Sequence, residues 1–365
     1  MKSIVIAAGG TGGHLYPAIA VADEIRSINP DIRIVFIGTS NRIESREVPR
    51  LGYEFYPIEI AAPGKSIGQL IRFPFKYMKA VRRSIQIMRE VKPSAFMGAG
   101  AYLSLPIAQA VKKLKIPAAL LEINAVVGRA NKILARGADK IFLAYPESKG
   151  DFDVSLHDKI QITGTPVRPN LASNSISQAD ARIQFQLDPE RRTVLVFGGS
   201  LGARSLNEAM RTSVARFLEA GLNVIWQTGP TANFDELKAI FTDTANLALL
   251  PYINDMGAAY VAADLVIARS GASTLAELAT LGKPAILVPY PLAVKNHQEH
   301  NARAFELSGA AIVILDGELR GKFEKTTLDL VFDEPRLRIL SEKMLQRENK
   351  DARKVVARWL LSHCT

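Results

Sequence analysis

The chain has 365 residues, of which 48% are hydrophobic and 22% are charged, so it is long enough for two hydrophobic cores. Its single cysteine, Cys364, excludes an internal disulfide and is typical of a protein from a reducing compartment. Glycines interrupt the N-terminal apolar run at once, and no apolar stretch is long enough to span a bilayer. We therefore expect a buried first strand and neither a signal peptide nor a membrane-spanning helix.

The net charge of +10 is concentrated in the first half of the chain. Residues 1–168 contain 24 Lys and Arg against 14 Asp and Glu, whereas residues 169–365 contain 22 of each. Such asymmetry is typical of a protein with a polyanionic partner, either nucleic acid or an acidic membrane surface. A simple solubility bias is the alternative explanation.

Short apolar strands alternate with helical stretches along the first half of the chain. The strands are apolar on both faces, as expected for a parallel sheet that helices cover on each side. They are predicted at Ser3–Ala7, Ile32–Ile37, Phe55–Ile58, Ser94–Met97, Ala118–Leu121 and Lys140–Leu143.

A basic and strongly apolar segment, residues 64–91, interrupts this alternation. An apolar face bordered by Lys and Arg is typical of a helix that lies in an anionic membrane interface. Pro74 predicts that the helix is broken into two pieces. We predict a membrane patch formed by Ile67, Leu70, Ile71, Phe73, Phe75, Lys76 and Lys79.

The alternative for this segment is a surface helix packed on the core, and we prefer that interpretation for Ile85, Ile87 and Met88. Nucleic acid is not expected as a partner, because no binding motif is present and the aromatic residues are clustered with aliphatic ones.

The second half repeats the alternation after a linker at residues 162–170, where prolines and a glycine interrupt both patterns. Strands are predicted at Thr193–Phe197, Asn223–Gln227, Leu247–Leu250, Leu265–Ala268, Ala285–Val288 and Ala311–Ile314. The helical tail ends amphipathically and is expected to return to the first domain. The fold class is therefore α/β, with two Rossmann-like doubly wound domains facing a cleft. We expect one domain from residues 1–164 with 343–365, and the other from residues 165–342.

A glycine-rich loop follows the first strand of each half: GGTGGH ends at His14 and GGSLGAR at Arg204. Glycines allow a sharp turn and close approach of a ligand, and the helix N-terminus that follows favours phosphate. Neither loop is a strict GxGxxG or a Walker A sequence. With a third loop at Gly98–Tyr102 they predict a phosphate or pyrophosphate ligand, although turns that need positive φ would explain any one loop alone.

His14 stands at a predicted helix start and could act as a general base near neutral pH. A capping or phosphate-contacting histidine is the alternative. Glu277, one turn into a later helix, could accept hydrogen bonds from a ribose diol, or it could simply stabilise the helix dipole. His297 and His300 have no accompanying ligands, and the D-x-D sequence at residues 151–153 lies away from any strand end, so no metal site is expected.

Six motifs, in this order, closely resemble the MurG family of bacterial glycosyltransferases: GGTGGHLYPAIA, GAGAYLSLP, GTPVR, GGSLGARSLN, ARSGASTLAEL and NHQEHNA. The resemblance spans nearly the whole chain. It implies a GT-B fold and an inverting transfer of N-acetylglucosamine from UDP-GlcNAc to undecaprenyl-linked lipid I, which forms lipid II for peptidoglycan. It also implies that no cofactor or metal is needed, and that the protein is peripheral on the cytoplasmic face of the cell membrane. The family usually has His, Gln, Gly and Gln where this chain has Leu121, Ile123, Ala101 and His297.

The resemblance also implies roles for individual residues. In the first domain, the acceptor pyrophosphate would be held by the first glycine loop from Gly10 to His14 and by Gly98, Gly100 and Tyr102. In the second domain, Ile253 would read uracil, Glu277 would bind the ribose and Gln298 the sugar. The full set implied to contact the donor is Thr11, Gly12, Gly13, Asn124, Arg168, Ser200, Ile253, Ala272, Ser273, Thr274, Glu277 and Gln298.

Such a transfer needs a base for the acceptor hydroxyl and donors or dipoles for the leaving diphosphate. We hypothesise that His14 is the base, with Glu122 as the competing candidate. Three other functions stay open: a transferase for another lipid acceptor such as diacylglycerol, a UDP-GlcNAc 2-epimerase, and a nucleotide-binding regulator without catalysis.

Overall fold

The computed structural model describes residues 2–9, 12–60, 67–100, 102–168, 171, 176–199, 201–230, 233–347 and 352–364. The chain divides into two compact units: an N-terminal unit of Met1–Arg168 with Asn349–Thr365, and a C-terminal unit of Pro169–Glu348. Each unit is built around a single parallel sheet.

The N-terminal unit has a seven-stranded sheet with the spatial order β3-β2-β1-β4-β5-β6-β7, in which every pair of neighbours is parallel. The chain moves outwards from β1 in one direction and then returns to its other side at β4. Ligands bind at such a switch point, beyond the carboxyl ends of the strands. The strands are β1 (Ser3–Ala7), β2 (Arg33–Thr39), β3 (Glu54–Ile58), β4 (Ala95–Gly98), β5 (Ala118–Glu122), β6 (Lys140–Leu143) and β7 (Ile160–Ile162).

Helices cover both faces of this sheet, which explains why β1 and β5 are buried at every position. The helices are α1 (Gly12–Ile28), α2 (Glu44–Arg50), α3 (Ile67–Val91), α4 (Ser104–Leu114) and α5 (Arg129–Ala135). Two short 3₁₀ segments, Pro146–Asp151 and Val154–Lys159, precede β7. Strand β7 was not predicted from the sequence, because its two half-buried residues and the exposed Ile162 do not form a buried apolar run.

Helix α3 runs without interruption through Pro74, so the predicted break into two pieces is wrong. A proline removes one backbone hydrogen bond but leaves the rest of the helix ladder intact. Downstream residues anchor the helix, since Ile87 and Met88 are buried in the core and Ile85 packs against it. The preference for core packing at these three positions is confirmed. No helix within the described ranges is long and apolar enough to cross a membrane.

The C-terminal unit has a six-stranded parallel sheet with the order β10-β9-β8-β11-β12-β13. Its strands are β8 (Thr193–Phe197), β9 (Asn223–Gln227), β10 (Leu247–Leu250), β11 (Leu265–Ala268), β12 (Ala285–Leu287) and β13 (Ile312–Val313). Its helices are α6 (Gln178–Gln184), α7 (Arg204–Glu219), α8 (Asn233–Ile240), α9 (Met256–Ala262), α10 (Ala272–Leu281), α11 (His297–Leu307), α12 (Leu319–Val331) and α13 (Glu334–Leu345). All twelve predicted strands are present in the two sheets, and the predicted α/β fold class is confirmed.

The last helix, α14 (Ala352–Leu361), belongs to the N-terminal unit and packs on α1. Arg353 forms an ion pair with Glu24 of α1 at 2.8 Å and donates to the carbonyl of Val167. The ring of Trp359 meets that of Phe142 edge to face.

The two units differ from the expected domains at both points where the chain passes from one unit to the other. Residues 165–168 stay with the N-terminal unit, where Arg168 packs over the ring of Tyr16. Residues 343–348 stay with the C-terminal unit, because α13 continues through Met344, which is fully buried there. Both segments were placed in the other domain because sequence patterns do not show which core a chain end packs against.

Candidate functional site

The carboxyl edge of the N-terminal sheet brings together two of the predicted glycine loops. Strands β1 and β4 are neighbours, with Ala7 paired to Gly98, so the loops that follow them start side by side. His14 lies in the first turn of α1. Gly10, Thr11 and Ala101 lie outside the described residues.

His14 packs directly on Gly100. A Cβ atom on Gly100 would lie 2.9 Å from both Cε1 and Nδ1 of the His14 imidazole, and the φ of Gly100 is +91°. Only glycine satisfies both conditions without strain, because a side chain would have to displace the ring. The structure therefore brings the candidate base against Gly100 of the GAGAY loop.

Glu122, the competing candidate base, ends β5 and is 1% exposed. Its Oε1 accepts hydrogen bonds from the backbone N–H and the side-chain Nδ2 of Asn124, at 3.0 and 3.1 Å. Its Oε2 accepts from the N–H of Gly128 and from Nδ2 of Asn131, at 3.1 and 2.8 Å. With two donors on each oxygen, this carboxylate orders residues 123–128 and orients Asn124.

Asn131, in α5, is a buried polar residue that the sequence analysis missed. Since a carboxylate only accepts hydrogen bonds, Glu122 fixes the amide with Nδ2 towards itself and Oδ1 away. Nδ2 also lies 3.4 Å from the point a Cβ on Gly100 would occupy, the point that the His14 ring borders. Oδ1 is buried without a hydrogen-bond partner among the described residues. The sequence signal that could have identified Asn131 is the position of an asparagine on the apolar face of a short helix.

Glu44 is a second buried carboxylate that sequence reasoning missed, and it stands behind the first glycine loop. A Cβ on Gly9 would lie 2.3 Å from its Oε1. The same oxygen accepts hydrogen bonds from the N–H and the hydroxyl of Thr39, at 3.0 and 2.6 Å. The fully buried Glu44 carboxylate therefore packs against Gly9 and is held there by Thr39 at the end of β2.

The departures from the family pattern at Leu121 and Ile123 are buried core positions. Their side chains fill the interior around β5, so the substitutions change packing next to Glu122 and Asn124.

The predicted membrane patch is only partly exposed. Phe75 is 78% exposed, and Lys76, Met78 and Lys79 are also exposed. Phe73 is instead half-buried, with its ring 5.9 Å from that of Tyr102. Helix α3 turns Phe73 towards Tyr102, and its place in the membrane patch stays a prediction. Of Ile67, Leu70 and Ile71 only the helical backbone is described.

Burial raises the pKa of the Tyr102 hydroxyl, the residue implied to contact the acceptor pyrophosphate. The nearby Tyr77, whose own pKa burial also raises, adds to the effect on Tyr102. Tyr102 therefore keeps its proton near neutral pH and can donate to an anion.

In the C-terminal unit, Gln227 links the second glycine loop to Ile253. Its Nε2 donates to the carbonyl of Gly199 at 3.0 Å, and its Oε1 accepts from the N–H of Ile253 at 2.9 Å. A pyrimidine that bonds to this N–H must therefore displace the Gln227 side chain. Gly202 has a φ of +73°, and a Cβ there would lie 1.9 Å from the carbonyl oxygen of Thr228, so the turn requires glycine. Ser200 lies outside the described residues.

Helix α10 begins at Ala272, and its first turn contains Ser273 and Thr274, with small side chains that leave the N-terminus accessible to an anion. One turn later, Glu277 accepts a 2.8 Å hydrogen bond from the hydroxyl of Tyr260. Tyr260 is fully buried, and burial raises its pKa well above its usual value, with the Glu277 charge adding to the effect. The phenol therefore stays protonated and orients the Glu277 carboxylate.

The Gln298 side chain is held in one orientation by its neighbours. Its Oε1 accepts from the N–H of Tyr290 at 3.0 Å, and its backbone carbonyl accepts from the Ser270 hydroxyl at 2.7 Å. With Oε1 turned to the backbone of Tyr290, the amide Nε2 is directed away from that backbone N–H.

The D-x-D sequence has a structural explanation. Asp151 forms a 2.7 Å ion pair with Lys132 and accepts from the N–H of Val127, while Asp153 caps a 3₁₀ segment through Ser155. In the part of the chain that the structure describes, no three His, Cys, Asp or Glu side chains are grouped closely enough to hold a metal ion.

Two parallel α/β units, each with a glycine loop after its first strand, define the class of GT-B nucleotide-sugar glycosyltransferases. Residues 4–143 match the glycosyltransferase family 28 N-terminal domain, and residues 193–357 match the glycosyltransferase family 28 C-terminal domain. The chain belongs to glycosyltransferase family 28 and, within it, to the MurG family.

Curated relatives carry the name UDP-N-acetylglucosamine–N-acetylmuramyl-(pentapeptide) pyrophosphoryl-undecaprenol N-acetylglucosamine transferase. One from Desulfitobacterium hafniense is 40% identical over 326 residues, which is 87% of either chain. Another from Salinibacter ruber is 37% identical over 366 residues, covering 98% of this chain and 96% of the relative.

Among solved structures, Acinetobacter baumannii MurG is 29% identical with a TM-score of 0.74, and the match covers 99% of this chain and 100% of that chain. The UDP-GlcNAc 2-epimerase from Neisseria meningitidis, solved with UDP-GlcNAc bound, is 14% identical with a TM-score of 0.69, which shows a shared fold alone.

Proposed function

We propose that this protein transfers N-acetylglucosamine from UDP-GlcNAc to the 4-hydroxyl of the N-acetylmuramyl residue of lipid I, forming lipid II for peptidoglycan. The observation that carries the proposal is the packing of His14 on Gly100, beside the buried Asn131. This arrangement supports a base at the loop edge where an anionic acceptor would bind. The names of the near full-length relatives supply the sugar and the acceptor.

In the proposed reaction, the acceptor hydroxyl oxygen attacks the anomeric carbon of the donor sugar as the bond from that carbon to UDP breaks. The hydroxyl proton passes to the His14 imidazole, and inversion follows because attack and departure occur on opposite faces. Glu122 is proposed as a positioning residue for Asn124, since donors already occupy both of its oxygens. Asn124 would contact the reacting sugars.

The leaving UDP carries the negative charge that develops in the transition state, and we propose that the protein stabilises it without a metal. The first-turn N–H groups of α10 at Ala272, Ser273 and Thr274 would meet the diphosphate. Arg168 and Ser200 would add donors, as would Thr11, Gly12 and Gly13 of the first loop. Arg168 is a cation of the N-terminal unit, where its guanidinium lies 4.9 Å above the Tyr16 ring.

Recognition of the rest of the donor follows from the C-terminal unit. Glu277, oriented by Tyr260, would accept from the ribose hydroxyls, and Gln298 would donate through Nε2 to the sugar. The backbone N–H of Ile253 would donate to uracil once it no longer donates to Oε1 of Gln227.

The acceptor pyrophosphate would be held by Gly10, Gly98, Gly100 and the protonated Tyr102. Its lipid tail requires a membrane, and we propose peripheral attachment to an anionic bilayer surface on the cytoplasmic face. The exposed Phe75 and Met78, flanked by Lys76 and Lys79, support this proposal, with Ile67, Leu70 and Ile71 as further members of the patch.

Transfer of labelled N-acetylglucosamine from UDP-GlcNAc to a lipid I analogue, with EDTA present, tests the function directly. Product that carries both label and lipid supports the transferase and the metal-free mechanism together. Transfer to diacylglycerol alone, or conversion of UDP-GlcNAc to its 2-epimer, would contradict the proposal. UDP binding without turnover on any acceptor would favour a regulator.

A further inference from the structure

Arg269 follows β11 and is 7% exposed, yet nothing in the proposed reaction uses it. Its Nη1 lies 2.5 Å from Oδ1 of Asp316, and its Nη2 donates to the Ser205 hydroxyl at 2.8 Å. The Ser205 hydroxyl in turn donates to the same Asp316 oxygen at 2.6 Å. The three side chains form a closed network that joins the start of α7, the end of β11 and the 3₁₀ turn before α12.

The same guanidinium holds the backbone that leads to Gln298. Nη1 donates to the carbonyls of Val288 and Pro289, at 3.2 and 3.0 Å. The next residue, Tyr290, supplies the N–H that fixes Oε1 of Gln298. On the other side, the residue after Arg269 is Ser270, whose hydroxyl fixes the backbone carbonyl of Gln298.

We propose that Asp316, acting through Arg269, is a positioning residue for the sugar end of the donor subsite, because it fixes the direction in which Gln298 presents Nε2. This inference rests on the proposed function, which gives Gln298 its role. Asp316 touches no reacting atom in the proposed reaction. Its effect reaches the sugar through Arg269 and the residues bonded to Gln298.

The physical reason is the cost of a buried charge. A guanidinium out of water needs a counter-ion, and removing that partner leaves the charge uncompensated. In Asp316→Asn, Arg269 would move towards solvent and release the carbonyls of Val288 and Pro289. Tyr290 and Gln298 would then lose their fixed positions, while the start of α10 keeps its own helical bonds.

Steady-state kinetics of Asp316→Asn tests the proposal. We expect the KM for UDP-GlcNAc to rise about tenfold, the loss of roughly one well-placed hydrogen bond. The kcat at saturating donor, the KM for the lipid acceptor and the inhibition constant of UDP should stay within about twofold, since UDP lacks the sugar. Glu318→Gln is the matched control, because Glu318 lies in the same turn but pairs with the exposed Lys322.

Hydrogen–deuterium exchange of the ligand-free protein provides a readout that does not depend on turnover. Peptides that contain Tyr290 and Gln298 should exchange faster in Asp316→Asn and not in Glu318→Gln. Ser205→Ala keeps the ion pair, so it should fold normally and show smaller changes of the same kind.

Unchanged exchange and unchanged donor KM in Asp316→Asn would overturn the proposal, as would an equal loss of affinity for UDP and UDP-GlcNAc. A wild-type protein that transfers no N-acetylglucosamine would instead refute the proposed function, and the exchange experiment would still decide whether Asp316 positions Gln298.

Discussion

The imidazole of His14 occupies the space above the Cα of Gly100, 2.9 Å from where a side chain at that position would begin. Two residues far apart in sequence therefore act as one unit, because the absence of a side chain at one of them makes room for the base. The buried carboxylate of Glu122 reaches the same place through Asn131.

Gly100→Ala should displace His14 and lower kcat by about a hundredfold, because a misplaced base loses much of its catalytic effect. The positive φ adds a loss of stability of about 1 kcal/mol. Gly52→Ala is the matched control, since Gly52 has a φ of +76° with nothing within 4 Å of a new Cβ. Both variants should lose stability through the positive φ, and Gly100→Ala should lose more because its Cβ must also displace the His14 ring. An equal loss of kcat in both would show that strain alone explains the effect.

His14→Ala should lower kcat by about 10²–10⁴-fold while the Kd for UDP-GlcNAc changes little, because general-base catalysis acts in the transition state. His363→Ala, in the turn after the C-terminal helix, provides a histidine control and should keep wild-type turnover. Rapid-quench measurement of single turnovers separates chemistry from product release. Retention of most single-turnover activity in His14→Ala would eliminate this residue as the base.

Glu122→Gln distinguishes positioning from base catalysis. A glutamine must turn an NH₂ group towards two of the four donors that now face the carboxylate, so we expect destabilisation of about 1–3 kcal/mol. Activity should fall through misplacement of Asn124, but by less than in His14→Ala. A loss of single-turnover rate at least as large as that of His14→Ala would identify Glu122 as the base instead.

Tyr260→Phe should raise the KM for UDP-GlcNAc severalfold, because Glu277 loses the hydroxyl that orients it. The pKa of Tyr260 is raised in the fold, so the unfolded chain releases this proton first as the pH rises. The tyrosine therefore contributes stability below about pH 10, and that contribution is lost progressively at higher pH. Chemical denaturation between pH 8 and 11 should show a shallower decline for Tyr260→Phe. Parallel curves for the two proteins would contradict this linkage.

Phe75→Ser should weaken binding to anionic vesicles about tenfold without changing thermal stability, since the ring is 78% exposed and packs little. Phe332→Ser, which replaces an exposed aromatic residue of the C-terminal unit, should bind as the wild type does. Co-sedimentation at several salt concentrations should also show a contribution from Lys76 and Lys79 that salt screens. Equal binding by Phe75→Ser and the wild type would remove Phe75 from the membrane patch.

Twelve of the strands could be predicted from local sequence patterns, whereas β7 and the continuity of α3 through Pro74 could not. Buried parallel strands are continuous apolar runs, so Ser3–Ala7 and Thr193–Phe197 were predicted with the bounds that the structure has. The glycine loops were equally visible, because a turn with positive φ at Gly100 or Gly202 restricts the residue type locally. Their repetition in both halves predicts two units of the same type, each with a glycine loop after its first strand.

The tertiary structure alone decided what the polar residues do. In the sequence alone, Glu122 is a candidate base. The structure shows that four donors bond to its carboxylate, which therefore holds the loop around Asn124 in place. Pro74 predicts a break in α3, yet the helix continues through this residue, and its C-terminal part packs in the core through Ile87 and Met88. Arg269 and Asp316 meet because β11 and the turn before α12 share one sheet edge. Backbone turns and buried strands follow from the types of neighbouring residues, so they can be predicted locally. The partner of a buried charge lies far away in the chain, so only the tertiary structure shows which residue it is.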